Sequence, residues 1–190
     1  MNLSINTIVK LKVSGFKPFA KTEKKPSGCK LQSRYTREEG GLSQFEIKVF
    51  ELNDAVAKTL KGKTIQLENC SVFRPDQEYA PSYWNSISQP VEIRENIIKP
   101  IINTIITGTV EAIEPFSGEK MSGYSLYFID ENEEAETIYT VKIANLDEAV
   151  AKSLLQKDVK IEQCKPLGKT SYISEEKPTS TSSVKPISKE

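Results

Sequence analysis

Cations and aromatic rings, set among apolar residues at regular spacing, are the side chains here with the most chemistry to offer. Lys10 and Lys12 alternate with Val9, Leu11 and Val13, and Lys30, Gln32 and Arg34 alternate with Cys29, Leu31 and Ser33. Lys48 and Phe50 alternate with Phe45, Ile47 and Val49. A basic stretch with Lys17, Phe19, Lys21, Lys24 and Lys25 links the first two segments, and Phe73, Arg74, Tyr79, Tyr83 and Trp84 follow further on. Ammonium and guanidinium groups neutralise phosphates, and ring faces stack on unpaired bases at roughly 1–3 kcal/mol per base. These are the groups that non-covalent recognition of an unpaired nucleic-acid strand requires. Phe50 is the most telling, because its parity sets it beside Lys48 on the wet side of its segment. It serves either as a stacking platform or as a cap on the end of the core above Leu52. The Phe73–Trp84 cluster, around Pro75 and Pro81, likewise either meets a ligand or forms a small core of its own.

Groups for covalent or metal chemistry are missing. The 190 residues contain no histidine, which removes the commonest general base and every Ser-His or Cys-His pair. Cys29, Cys70 and Cys164 are an odd set without a Cys-x-x-Cys pair, which fits a reducing interior and neither a disulfide framework nor a zinc site. No phosphate-cradling Gly-x-x-x-x-Gly-Lys-Ser/Thr loop or Gly-x-Gly-x-x-Gly occurs, and the acidic run from Asp130 to Glu136 lacks the turn glycine of a calcium loop. The expectation is a protein that is not an enzyme, with no cofactor and no metal. No apolar run approaches the roughly 18–20 residues of a membrane span, and the first residues lack the pattern of a signal peptide. A cytoplasmic location with no membrane partner is therefore expected.

Charge is unevenly spread. Lys plus Arg and Asp plus Glu both total 26. Residues 1–99 nevertheless carry sixteen basic against eleven acidic residues, and residues 100–190 carry ten against fifteen. The first 45 residues are sharper still, with nine basic against three acidic. One half is suited to a polyanion and the other is not.

The elements that must position these groups emerge from an internal repeat. At an offset of 94, Phe45–Cys70 lies on Tyr139–Cys164 without a gap, and ten of the 26 positions are identical. Upstream, the segment from Lys12 to Phe19 lies on that from Thr109 to Phe116, and Ser27-Gly28-Cys29-Lys30-Leu31 lies on Ser122-Gly123-Tyr124-Ser125-Leu126. Each unit reads as three strands of period two, then a short helix, then one or two more strands. In the first unit the helix is expected on Leu52, Val56 and Leu60, capped by Asn53 or Asp54 and stopped by Gly62. A fourth strand is expected on Ile65 and Leu67 and a fifth near residues 87–93. In the second unit strands are expected around residues 104–113, 124–128 and 138–143. A helix on Leu146, Val150 and Leu154 follows, then a strand on Val159 and Ile161 and a last one near residues 172–174.

This order is that of the OB-fold, a five-stranded, partly open barrel. The segments 51–72 and 145–167 resemble the helix-and-fourth-strand portion of the OB domains in single-stranded DNA-binding proteins and replication protein A. In those domains a strand also runs into a small helix containing alanine, valine and lysine, then a polar turn and a strand. The resemblance implies an all-β chain with short helices: an OB domain at 1–99, a second at 100–174 and a disordered tail at 175–190. It also implies a ligand lying across the second and third strands, gripped by the loops between strands one and two and strands four and five. On that frame Lys10, Lys12, Lys17, Phe19, Lys21, Lys24, Lys25, Lys30, Arg34, Lys48, Phe50, Phe73, Arg74, Tyr79, Tyr83 and Trp84 are the expected nucleic-acid contacts. The expected function is largely sequence-independent binding of single-stranded DNA, or of RNA, in replication, recombination or DNA transfer. The second unit departs from the pattern: Ala144 stands where the first has Phe50, Leu167 for Phe73 and Gly168 for Arg74. It is expected to pack, self-associate or dock a protein. The alternative is an interaction or scaffolding module that binds no nucleic acid. The tail is also unlike the acidic, apolar-tipped tails with which bacterial single-stranded DNA-binding proteins recruit partners.

Overall fold

Residues buried in the first unit follow the period-two pattern closely. Val9, Leu11, Leu31, Ile47 and Val49 are fully buried, and Phe45 nearly so, while their sequence neighbours are half-buried or exposed, except Gln32, which is 6% exposed. The computed structural model describes residues 2–72, 83–130, 136–168 and 170–181. The chain divides into two compact units: Asn6–Asn103, and Thr104–Glu190 together with Met1–Ile5.

The first unit contains β1 (Ser4–Lys12), β2 (Gly15–Phe19), β3 (Gly28–Thr36), β4 (Leu42–Phe50), α1 (Asp54–Thr59), β5 (Thr64–Leu67), β6 (Cys70–Val72), β7 (Tyr83–Ser86) and β8 (Val91–Glu92). β2 pairs with β3, β3 with β4, β4 in parallel with β7, β7 with β6, and β5 with both β1 and β8. Counting β1 with β2, and β5 with β6, as single bent strands, the neighbours run first, second, third, fifth, fourth and back to first. That is the closed order of an OB barrel. Its core is Val9, Leu11, Val13, Leu31, Phe45, Ile47, Val49, Ile65, Leu67 and Trp84, among others. Burial of each such large side chain stabilises by about 1.5–3 kcal/mol.

The second unit repeats the plan with β9 (Ile101–Thr109), β10 (Ala112–Ser117), β11 (Ser122–Asp130), β12 (Thr137–Ala144), α2 (Glu148–Leu154), β13 (Asp158–Pro166), β14 (Ser171–Ser174) and β15 (Thr179–Ser180). The order β10-β11-β12-β14-β13-β9 closes it in the same way. Ile106, Val110, Leu126, Phe128, Val141, Ile143 and Ile161 form its centre, with Leu3 and Ile5 packed against it. The chain is thus mostly β, with two short helices among the described residues, arranged as two tandem OB barrels.

The duplication extends to the backbone. Three left-handed positions recur at the offset of 94: Glu51 (φ 59°) with Asn145 (54°), Gly62 (85°) with Gln156 (59°), and Asn69 (49°) with Gln163 (54°). Asn69 lies where β5 bends into β6, and Gln163 lies at the register shift of β13 against β9. Beyond β6 the offset becomes 88. Ser86 Oγ donates to the Glu68 carbonyl at 3.0 Å, as Ser174 Oγ does to Glu162 at 2.8 Å. The Ile93 amide donates to Thr64, as the Thr181 amide does to Asp158.

The structure differs from the sequence expectations in four places. Lys17 and Phe19 lie on β2, not in a loop, because the first strand bends at Ser14 and continues along β3. The fifth strand is Tyr83–Ser86, earlier than residues 87–93, since Glu46–Val49 pairs with it in register. Both helices form, but Val56 (48% exposed) and Val150 (39%) face out while Ala57 and Ala151 are buried. Leu52 precedes α1, so Ala57 and Leu60 fix the inward face. Of the tail expected from 175, Thr179 and Ser180 pair with β13, and residues 182–190 lie outside the described residues.

Candidate nucleic-acid interface

The outward residues of β2, β3 and β4 form transverse rows, because antiparallel register sets them side by side about 4.7–4.9 Å apart. Lys17 is opposite Lys30, Lys30 opposite Lys48, and Lys48 beside Asn85 of β7. Like charges directly opposite one another destabilise a sheet. Three lysines in one row therefore carry a like-charge cost to the fold. Lys30 Nζ lies 3.2 Å from the Glu46 carboxylate, and Lys48 Nζ lies over the Phe19 ring at 5.8 Å. Among the described residues Lys17 has no carboxylate partner.

One step along the strands lies an aromatic row. Phe19 is opposite Gly28, and Gly28 is opposite Phe50. The two rings, both half-buried, meet edge to face with centroids 5.8 Å apart and an interplanar angle of 87°. Gly28 permits this closeness: a Cβ there would lie 3.0 Å from Phe19 Cζ and 2.1 Å from the Val49 carbonyl oxygen. Its repeat counterpart Gly123 would put a Cβ 2.0 Å from the Ile143 carbonyl oxygen, so the glycine serves the barrel first. The 20–27 loop turns back through the Thr22 amide, which donates to the Lys25 carbonyl at 2.9 Å. That turn sets Lys25 Nζ over the Phe50 ring at 5.8 Å. Lys21 and Lys24 are exposed on the same loop. An open cleft lined by Pro18, Phe19, Ala20, Gly28 and Leu52 adjoins this end of the face.

On the other side of the lysines lies a third row, Gly15, Gln32 and Glu46. Glu46 Oε1 accepts from Gln32 Nε2 at 2.5 Å and from Gln44 Nε2 at 2.7 Å. Burial alone would raise its pKa, but the hydrogen bonds from Gln32 and Lys30 and the Lys30 charge outweigh that and hold it below the ordinary value. Arg34, opposite Gln44, is exposed at the edge. Sequence reasoning left Gln44 and Glu46 out of the site. Their outward parity was visible, but their convergence depends on cross-strand register.

Some expected contacts lie elsewhere. Trp84 is only 5% exposed and packs in the barrel core with its ring centroid 6.5 Å from that of Phe45. Its place on β7 beside Ile47 points it inward, so it offers no face to a ligand. Lys10 and Lys12 are on β1, in the sheet formed with β5, and Lys10 Nζ donates to Glu95 at 2.6 Å. Phe73, Arg74 and Tyr79 lie outside the described residues, and Tyr83 is described only by its backbone place in β7. The thiols are also remote from ligand chemistry. Burial, helped by a hydrogen bond to Asp54 and that carboxylate's charge, pushes the Cys29 thiol up to about 12.

The corresponding face of the second unit has Glu114 opposite Ser125 and Ser125 opposite Lys142. Phe116, Gly123 and Ala144 stand in the aromatic row, and Lys142 Nζ lies over Phe116 at 5.4 Å. Tyr127 donates its hydroxyl to Glu114 at 2.6 Å, which raises the phenol's pKa, with burial adding to the effect. Much of the acidic run, residues 131–135, lies outside the described residues.

No family model matches this sequence, and no curated protein matches it either. Among solved structures, a deletion variant of the single-stranded DNA-binding protein from Thermus aquaticus superposes with a TM-score of 0.51 at 12% identity, covering 99% of both chains. The wild-type form of that protein gives 0.49 at 13% identity over 95% of this chain and 94% of that one. The first likeness bears on the fold and spans both barrels.

Proposed function

We propose that this chain is a non-catalytic protein that binds single-stranded DNA on the β2–β3–β4 face of its first barrel, with little sequence dependence. The row Lys17–Lys30–Lys48 beside the row Phe19–Gly28–Phe50 carries this reading, since the two rows match the phosphates and bases of an unpaired strand. The likeness of the fold to that of a single-stranded DNA-binding protein supports it. Lys21, Lys24, Lys25 and Arg34 extend the cationic track, and Phe73, Arg74, Tyr79 and Tyr83 remain part of the proposed contact surface. The protein would act in replication, recombination or DNA transfer in the cytoplasm. The second barrel would stabilise the chain or meet a protein partner.

Fluorescence anisotropy of labelled single- and double-stranded oligonucleotides across a salt series tests this. Each phosphate contacted on a single strand contributes about −0.7 to the slope of log K against log salt, so a slope between about −2 and −5 is expected. Phe50→Ala should weaken single-strand binding roughly tenfold, within the range for loss of one stacked base, without unfolding the protein. Absence of binding at low salt, or equal preference for duplex, overturns the reading.

A further inference from the structure

Glu46 is an anomaly on a cationic face. Its repeat counterpart is Thr140, which lies opposite Tyr127, so the barrel does not need a carboxylate at this place. Nor is it a phosphate contact, because its charge repels one. Its hydrogen-bonding capacity is nearly, but not wholly, used. A carboxylate offers about four acceptor sites. The Gln32 and Gln44 amides fill both on Oε1, while Lys30 takes one on Oε2 at 3.2 Å. One acceptor position on Oε2 remains, on a side chain still 17% exposed. It sits one row from the lysines, on the side opposite the rings.

We propose that Glu46, held in place by Gln32 and Gln44, accepts a hydrogen bond from the exocyclic amino group of a bound base and so biases this face toward cytosine over thymine. The inference rests on the nucleic-acid reading of the face. Cytosine presents an N4 amino donor, and carboxylates are suited to accept from it. At the position of that amino group thymine presents its O4 carbonyl, which a carboxylate repels, so the only donor it could offer Glu46 is the neighbouring N3–H. Phosphates on the lysine row would leave bases free to reach either neighbouring row: stacked on Phe19 and Phe50, or edge-on to Glu46.

Binding of oligo(dC) and oligo(dT) of equal length, at neutral pH and fixed salt, compares the intact protein with Glu46→Gln and Lys17→Gln. The ratio of oligo(dC) to oligo(dT) affinity should fall about fivefold in Glu46→Gln, the lower end of the discrimination given by a polar contact to a base edge. In Lys17→Gln, which has no contact with Glu46, both affinities should fall while the ratio holds. An unchanged ratio in Glu46→Gln, or an equal rise for both oligonucleotides, would show Glu46 to be only a counter-ion to Lys30 and overturn the proposal. Failure of the intact protein to bind either oligonucleotide overturns this proposal and the reading beneath it together. Thermal melts of each variant separate these outcomes from loss of fold.

Discussion

Position for position, the lysine row Lys17, Lys30, Lys48 of the first barrel is Glu114, Ser125, Lys142 in the second. Phe19, Gly28, Phe50 becomes Phe116, Gly123, Ala144. Strand order, the close glycine and the left-handed positions are shared. Even the lysine over the aromatic ring recurs, at 5.8 Å in one barrel and 5.4 Å in the other. The shared strand order, close glycine and left-handed positions are what the fold requires. What differs on the face, three cations against one cation and one anion, is not required by the fold. The like-charged row in the first barrel is a feature the fold does not need, and it is the row to which the proposed function assigns the phosphates. The second barrel, where Glu114 instead accepts from Tyr127, has removed that repulsion.

If this division is right, core substitutions should cost stability in either barrel, and face substitutions should cost binding in the first alone. Trp84→Ala is the largest expected effect. Removing a nearly fully buried indole beside Phe45 should destabilise the first barrel by about 3–5 kcal/mol. Chemical denaturation followed by fluorescence and far-ultraviolet circular dichroism would measure it. A stable Trp84→Ala variant with selectively weakened nucleic-acid binding would break the comparison, because it would put a shared core position to work on the face.

Next in size is the exchange of face residues themselves. Lys17→Glu with Lys30→Ser gives the first barrel the second's row. Two phosphate contacts are lost, so the salt slope should fall by about 1.4 and affinity at low salt should drop by roughly one to two orders of magnitude. The added carboxylate deepens the loss, while relief of like-charge repulsion should leave stability equal or slightly higher. Unchanged affinity in the salt titration would move the binding surface off this row altogether.

The parts of the molecule legible in its sequence were those governed by local period. Alternation in 45–50 placed Lys48 and Phe50 outward, and the offset of 94 exposed the duplication before any strand was paired. Features set by register were not legible. Pro18 interrupts the alternation of β2, so Lys17 and Phe19 looked like loop residues although they lie on the face. Trp84 sits among polar and aromatic neighbours with no period to orient it, and only its pairing beside Ile47 turns it inward. The segment 175–181 is too polar to signal structure, yet backbone bonds from Thr181 to Asp158 and pairing of Thr179 with Lys160 hold it as Ile93 and Val91 are held in the first barrel. Convergence of Gln32 and Gln44 on Glu46 needs both registers and rotamers, which no one-dimensional pattern contains.

The smallest expected effect sharpens the comparison most, because it concerns one residue type at one shared backbone position. Gly62 and Gln156 follow the two helices at equivalent places with φ of 85° and 59°. Each amide donates to a core-strand carbonyl at 2.8 Å, Gly62 to Val13 and Gln156 to Val110. A left-handed residue with a Cβ costs about 1–2 kcal/mol, of which glycine gives back part through its freer unfolded chain. Gln156→Gly should therefore stabilise the second barrel by about 0.5–1 kcal/mol, less whatever its exposed contact to Glu111 contributes. Gly62→Gln should destabilise the first barrel by a similar amount, because the space around Gly62 is open and only the backbone conformation penalises a side chain. Urea denaturation of both variants reads the pair of shifts. Opposite signs of similar size mean that the two turns are energetically one turn carrying different residues. Shifts of the same sign would mean that the repeat shares its path through space but not its energetics, and the inference from one barrel to the other would lose its footing.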